Sequence, residues 1–411
     1  MKKIQYREWG LDSARYWGLL AFLAAIAGIG GLAALYMEHN GHWVTGMSNQ
    51  VVWGTPHVFA VFLIVAASGA LNVASVGSVF GKKLYKPLAP LSGLLAVALL
   101  LGGLLVLVLD LGRPDRLIVA MTYYNFKSIF AWNIFLYTGF MAIVLVYLFT
   151  MMERKMNDYS KPVGVFAFVW RLLLTTGTGS IFGFLAAREA YNSALLAPMF
   201  IVLSFAFGLA IYLLVLMYAF RADQRPLGDV VVLRLKHLLG VFVAAMLYFT
   251  LVYHITNLYI TENHDFVAFV LRDGGIYTAA FWLGHVFVGS LVPLFIIYHP
   301  VLGHSRSWIA GACAMVILGG LANIYLIIIG GQAFPMSLFP GKTLIESGFQ
   351  DGVNGLPAAY APSLPEFLLG LGGVAVALLV TAVGIRMLRF LPDSLADDVA
   401  DPHGGKAAAA H

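Results

Sequence analysis

The sequence predicts an all-α, polytopic membrane protein with ten transmembrane helices, and three observations carry that expectation. The chain is 60% hydrophobic and only 11% charged, against roughly 25% charge in a soluble domain. Apolar runs recur from end to end, each long enough to cross about 30 Å of hydrocarbon as a helix. The runs are also too long and too uniformly apolar for barrel strands, which alternate over about ten residues, and backbone groups in lipid must be satisfied within the chain.

Ten runs qualify, at about 16–38, 53–80, 88–109, 128–152, 163–187, 194–220, 235–261, 276–299, 308–331 and 365–391. No linker divides them, so residues 1–391 read as one integral-membrane domain of antiparallel neighbours. The first run follows MKKIQYREWGLDSARYWG, which mixes acids with its bases and offers no small-residue cleavage site, so it is read as retained. Run two ends before Lys82, Lys83 and Lys86, and run four before Arg154, Lys155 and Lys161; run six ends before Arg221, Arg225 and Arg234. Basic residues gather in these even-numbered loops and at the termini, which places both termini on the cytoplasmic side of an inner membrane. The formal charge of +5 is therefore topology rather than a nucleic-acid surface, and the expected partner is the bilayer.

Run three ends in LDLGRPDR, residues 109–116, where Asp110, Arg113, Asp115 and Arg116 crowd the outer surface and Gly112 with Pro114 supplies a sharp turn. Runs four and eight echo each other, FKSIFAWNIFLYTGF against IYTAAFWLGHVFVGS. The echo hints at two related four-helix bundles, runs 2–5 and 6–9, with runs 1 and 10 peripheral. Residues 332–364 form a long outside loop rich in Pro and Gly. Residues 392–411 form a polar, Ala-rich cytoplasmic tail expected to be a disordered end. The one cysteine, Cys313, leaves no disulfide framework, and an iron–sulfur cluster needs about four thiolates.

Polar side chains inside a span are costly unless they face the bundle interior, so each is a functional candidate. In run two, His57, Ser68, Asn72 and Ser75 fall on one helix face. The bland reading of Ser68 and Ser75 is interhelical packing. His57 lies one turn below the outer surface, where Asp110 ends run three and Tyr123, Tyr124, Lys127 and Ser128 lead into run four. A quinone headgroup needs hydrogen-bond partners, a group that titrates near neutral pH and an apolar channel for its tail. His57 and Asp110 meet the second need, and Tyr123, Tyr124 and Trp132 border the ring. The competing reading is an interfacial aromatic belt with a snorkelling lysine. Arg171, two turns inside run five and followed by Thr175, extends the polar set toward the cytoplasm as a candidate proton path with Ser68, Asn72 and Ser75. In the second half, His254, Asn257 and His285 fall near one depth, which raises haem ligation by paired imidazoles as a rival. His237 and His254 are 17 positions apart, so a second pair would not stay level with the first.

The order of GTPHVFAVFLIVAASG, a span ending LDLGRPDR, a short outside loop and YYNFKSIFAWNIFLYTG resembles the NrfD/polysulfide-reductase family of membrane quinone-reactive subunits. The ten-span layout is most similar to its longer, DsrP-type branch. The resemblance implies a menaquinone or related quinone near the outer face, no haem or metal in this chain, and electron exchange with a periplasmic four-cluster iron–sulfur subunit. Further subunits of a membrane complex, cytochromes among the candidates, follow from it, as does a place in sulfur metabolism. It supports His57, Asp110 and Arg113, with the segment Asn125 to Trp132 as one wall of the quinone site, although NFKSIFAWN departs from the family's Pro-, Ser- and Met-richer segment. On this reading the chain performs the quinone half-reaction of an oxidoreductase complex and is not a complete enzyme alone. A secondary transporter or ion channel is the alternative, suggested by the possible repeat and the buried Arg171.

Overall fold

A computed structural model describes residues 4–335 and 359–400. Among them are ten helices long and apolar enough to cross a membrane. They are α1 (Ser13–Asn40), α2 (Thr55–Ser78), α3 (Lys83–Leu109), α4 (Ile129–Met152), α5 (Arg154–Gly183), α6 (Leu196–Ala222), α7 (Asp229–Tyr259), α8 (Ile276–Tyr298), α9 (Arg306–Ala333) and α10 (Leu364–Met387). Most of the expected long outside loop, residues 336–358, lies outside the described residues, as do residues 401–411 of the tail.

Within residues 55–183, α2 packs on α3, α3 on α4, α4 on α5, and α5 returns to α2. The later helices repeat the pattern: α6 touches α7, α7 touches α8, α8 touches α9, and α9 returns to α6. Contacts of α2 with α6 and α9, and of α5 with α6, join the two groups. Helix α10 lies against α2 and α3 and carries α1 on its outer side.

Helix α2 is buried along its whole apolar window, so its neighbours can approach only where side chains are small. Gly69 of α2 and Gly208 of α6 meet backbone to backbone: a Cβ on Gly208 would fall onto Gly69 and the nitrogen of Ala70. Such close contacts between small residues are how helices associate in lipid, where the hydrophobic effect gives no preference for protein neighbours. α2 also breaks, its α-helical stretches running Thr55–Ala70 and Asn72–Ser78. At the break Ser92 of α3 donates to the carbonyl of Ala70 at 2.7 Å and accepts from the nitrogen of Ala74 at 3.1 Å. An inserted hydroxyl of this kind is a recognised cause of helix interruption. The second half carries π-helical turns instead, at Phe269–Asp273, Ala280–Leu291 and Leu326–Gly330.

The tail departs from expectation. Residues 391–400 are ordered, because β2 (Leu391–Pro392) pairs antiparallel with β1 (Tyr6–Arg7) and the nitrogen of Gly228 donates to the carbonyl of Leu395 at 2.8 Å. Buried Arg225 holds this corner, donating to the carbonyls of Glu8 and Pro392 while its Nε lies 2.5 Å from Asp223. The polar composition points to a solvated end, but these residues find partners on two segments distant in sequence, Gln5–Arg7 and Arg225–Val230.

Gly208→Leu is expected to destabilise the chain by about 2 kcal/mol or more through overpacking against Gly69. Gly31→Ala, with nothing near its missing Cβ, serves as the neutral control. Thermal unfolding of the detergent-purified proteins checks the difference, and equal melting temperatures would show that α2 and α6 are not in close contact.

Candidate functional site

At the end of the bundle opposite the termini, the sequence Val52-Trp53-Gly54-Thr55-Pro56 turns the chain into α2, with Gly54 as N-cap and Pro56 in the first turn, where a missing N–H costs nothing. Gln332, in the last turn of α9, fixes the approach. Its Oε1 accepts from the nitrogens of Val52 and Trp53 at 2.9 and 3.0 Å, and its Nε2 donates to the carbonyl of Trp53 at 3.0 Å. Arg188, after α5, donates to the carbonyls of Gln332 and Gln50. The Trp53 indole is thereby held over His57, stacked at 5.3 Å and 9°. Phe130 of α4 and Phe182 of α5 pack on the other sides of Trp53 at 5.9 and 5.8 Å. His57 is half-buried, and among the described residues nothing hydrogen-bonds its ring.

Asp110 caps the end of α3, its carbonyl bonded to the Nε2 of His42 at 3.1 Å. Its carboxylate oxygen Oδ1 is buried without a partner among the described residues. Burial, and secondarily the charge of Glu366, push this carboxyl up to about 7, because the low-dielectric setting disfavours the charged form.

Glu366 is a site residue that sequence reasoning missed. It is fully buried and accepts from the nitrogens of Gly46 and Ser363, both at 2.8 Å, and from the hydroxyl of Tyr360 at 2.7 Å. That hydroxyl in turn accepts from the nitrogen of Thr55 at 2.7 Å. Glu366 thus ties the start of α10 to the first turn of α2, two residues before His57. The signal is present as Ser363-x-x-Glu366, the capping-box spacing. Gln332, Arg188 and His42 carry no comparable local pattern.

The remaining expected site residues separate. Tyr123 is 87% exposed, and Arg113 pairs with Asp115 at 3.3 Å on the surface rather than with Asp110. The ring of Tyr124 sits between Phe126 and Phe135. Ser128 is the N-cap of α4, and Trp132 donates from Nε1 to the carbonyl of Phe126 at 2.8 Å. Tyr124, Ser128 and Trp132 therefore build the knot that starts α4 and positions Phe130 beside Trp53. Among the described residues, none of these three bonds or stacks with His57, and no hydrogen bond or ion pair joins His57 to Asp110.

The deeper polar set does come together. Arg171 is 0% exposed, which removes snorkelling to the surface. Its guanidinium donates to Asn72 Oδ1 at 2.7 Å and to the carbonyl of Ser68 at 3.3 Å, beside the break in α2. Ser68 Oγ and Thr175 Oγ1 both donate to the carbonyl of Arg171. Phe168 and Phe205 face the guanidinium at 4.9 and 5.1 Å. No carboxylate pairs with Arg171 among the described residues, and its Nε and the Nδ2 of Asn72 lack partners there. Ser75 stays apart, its hydroxyl spent on the carbonyl of Leu71 in its own helix.

In the second half His285 Nε2 lies 3.0 Å from Thr250 Oγ1, and Phe281 packs on His254 at 4.7 Å. A cavity of about 30 Å³ beside His254, Thr250 and Asn323 is the size of a water.

A family model described as "Polysulphide reductase, NrfD" matches residues 43–336. Over 97% of its length the chain is 30% identical to the Hdr-like menaquinol oxidoreductase integral membrane subunit of Archaeoglobus fulgidus, covering 99% of that protein. It is 21% identical to a selenate reductase subunit of Mesobacillus selenatarsenatis, over 91% of this chain and 93% of the relative. It is 25% identical to a polysulfide reductase polypeptide of Wolinella succinogenes, over 70% of this chain and 96% of the relative.

Glu366→Leu strands the Tyr360 hydroxyl and two backbone N–H groups in a buried place, so a loss of about 2–3 kcal/mol is expected, with Glu366→Gln recovering part of it. Thermal unfolding of both variants measures this; a Leu variant as stable as the parent would mean that the α10 carboxylate braces nothing.

Proposed function

Because the chain belongs to the NrfD polysulphide reductase family, we propose that it is the quinone-reactive membrane subunit of a respiratory oxidoreductase complex. On this reading it exchanges electrons with a periplasmic iron–sulfur partner at the outer end of the bundle. The observation that carries the proposal is His57, stacked on Trp53 and half-buried, with both ring nitrogens free of hydrogen-bond partners among the described residues. A quinone, when bound, supplies the two-electron, two-proton carrier between the membrane pool and the partner subunit. Trp53, Phe130 and Phe182 offer an aromatic, water-excluding wall for its headgroup, and His57 a hydrogen-bond partner for one of its oxygens. Asp110, one residue beyond the end of α3 with an unpartnered buried oxygen, is suited to pass protons to the surface near neutral pH. Arg113 and Arg116, exposed beside it, suit a docking partner. The relatives named above, a menaquinol oxidoreductase subunit and a polysulfide reductase polypeptide, support a menaquinone-type carrier and a role in sulfur metabolism.

We further propose that Ser68, Asn72, Arg171 and Thr175, gathered at the break in α2, form a polar station for protons on the inner side of the site. Arg171 stays charged and would orient water rather than titrate.

His57→Ala and Asp110→Asn, in assembled complexes, are expected to lower the turnover of quinol oxidation by about a hundredfold, with assembly unchanged. Full activity in both would remove the site. Quinol oxidation needs Asp110 as a proton acceptor, hence ionised, so turnover should rise with pH through about 7, and Asp110→Asn should abolish that limb. A rising limb that survives in Asp110→Asn would assign it to another group. For the inner station, Arg171→Leu in proteoliposomes should lower the proton-to-electron ratio at matched electron-transfer rate; an unchanged ratio excludes Arg171 from coupling.

A further inference from the structure

A large cavity lies at the opposite end from His57, where the starts of α3 and α5 meet the end of α10. Its volume is about 920 Å³, at the upper end of the range of small-molecule sites. Its lining combines apolar side chains, Met151 near the end of α4 and the exposed Met387 and Leu388 at the end of α10, with the cations Lys86, Arg154, Lys161 and Arg389. Among the described residues, the one carboxylate in the lining, Glu8, is already paired with Arg389 at 2.9 Å. Lys86, Arg154 and Lys161 have no carboxylate partner among the described residues. The three unpaired cations come from two elements, the turn that opens α3 and the turn that opens α5, so the fold brings them together around one opening.

We propose that this cavity is a binding site for one anionic glycerophospholipid. Its place at the ends of membrane-crossing helices is the depth of lipid headgroups, and a basic pocket between helix ends is the arrangement that holds anionic headgroups. The phosphodiester lies among Lys86, Arg154 and Lys161, and the acyl chains leave along Met151, Met387 and Leu388. A soluble anion would satisfy the cations but leave the exposed Met387 and Leu388 beside them uncovered. A zwitterionic lipid would cover these apolar side chains but bring its own cation to a cavity whose lining already has three without a carboxylate partner among the described residues. The bound lipid joins α3, α5 and α10, and so ties α10 to the first helix group at the end away from Glu366.

The test is native mass spectrometry of the full-length protein released from nanodiscs that contain equal phosphatidylglycerol and phosphatidylcholine of matched acyl length. The wild type should retain one phosphatidylglycerol in preference to phosphatidylcholine. Each of Lys86→Gln, Arg154→Gln and Lys161→Gln should weaken that retention by about fivefold. Arg154→Lys should keep it, which separates loss of charge from loss of fold. Lys82→Gln with Lys83→Gln, on the same surface but outside the cavity lining, should leave retention unchanged. Equal retention of the two lipids, or retention unaffected by the three cavity substitutions, overturns the proposal. Displacement of the lipid by inorganic phosphate would reassign the rim to a free anion, and displacement by a short-tailed menaquinone would make the cavity a second quinone site; either result also overturns it.

Discussion

The constraint on which the rest depends is the burial of α2 along its whole apolar window. A helix surrounded on all sides in a membrane cannot use lipid as a soft neighbour, so every adjoining helix must fit it, and every backbone group freed by its break must find a protein partner. Gly69 against Gly208 meets the first demand. Ser92 and Arg171 meet the second, the hydroxyl standing in for the backbone bond between Ala74 and Ala70 and the guanidinium reaching the carbonyl of Ser68. The same helix begins at Trp53 and His57. The position of α2 therefore sets both the aromatic cluster around Trp53 at its start and the polar cluster around Asn72 at its break.

Arg171 shows why an unpaired cation persists there. A buried charge is strongly unfavourable unless its hydrogen-bonding capacity is met. Here an amide oxygen, a backbone carbonyl and two aromatic faces share that task. The result is incomplete, with Nε and the Asn72 amide nitrogen unpartnered among the described residues. Sites this unsatisfied in a close-packed interior generally hold water or serve function, which is the physical basis for the inner station proposed above.

Much of the architecture was legible because lipid imposes a coarse rule. Ten long apolar runs could only be helices, and ten such helices are present among the described residues. The gathering of Ser68, Asn72 and Arg171 was readable only in part: helical periodicity put the first two on one face, while sequence placed Arg171 with Thr175 further toward the cytoplasm rather than in direct contact with Asn72. What failed were inferences from shared depth alone. Tyr123 and Arg113 sit at the right level yet point away, because a helix end has a surface side and depth does not choose it. Glu366, Gln332 and Arg188 were missed for a different reason: each acts on backbone that is distant in sequence, and a single polar residue near a helix end looks the same whether it faces water or a buried loop. Ser75 was misplaced because a serine can spend its hydroxyl on its own helix, as this one does at 3.1 Å.

The two polar centres on α2 bear on how protons can move between them. His57 and Ser68 are eleven positions apart, about 16 Å along a helix, and the residues from Val58 to Ala67 are all apolar. α2 itself therefore offers no file of polar side chains from the outer site to Arg171. Across the bundle, the Glu366 brace lies beyond residue 336, where the family match ends, and it reaches the first turn of α2 through Tyr360 and Thr55 without extending inward. The polar side chains between the two centres lie instead on α4 and α5, where Tyr137 and Thr178 meet at 3.2 Å and Asn133 donates to the carbonyl of Gly177 at 3.0 Å, while Arg171 Nε, the Asn72 amide nitrogen and Asn133 Oδ1 are without partners among the described residues. The proposed coupling is accordingly tied to the polar side chains and orphaned groups that lie between these helices, beneath the aromatic wall around Trp53.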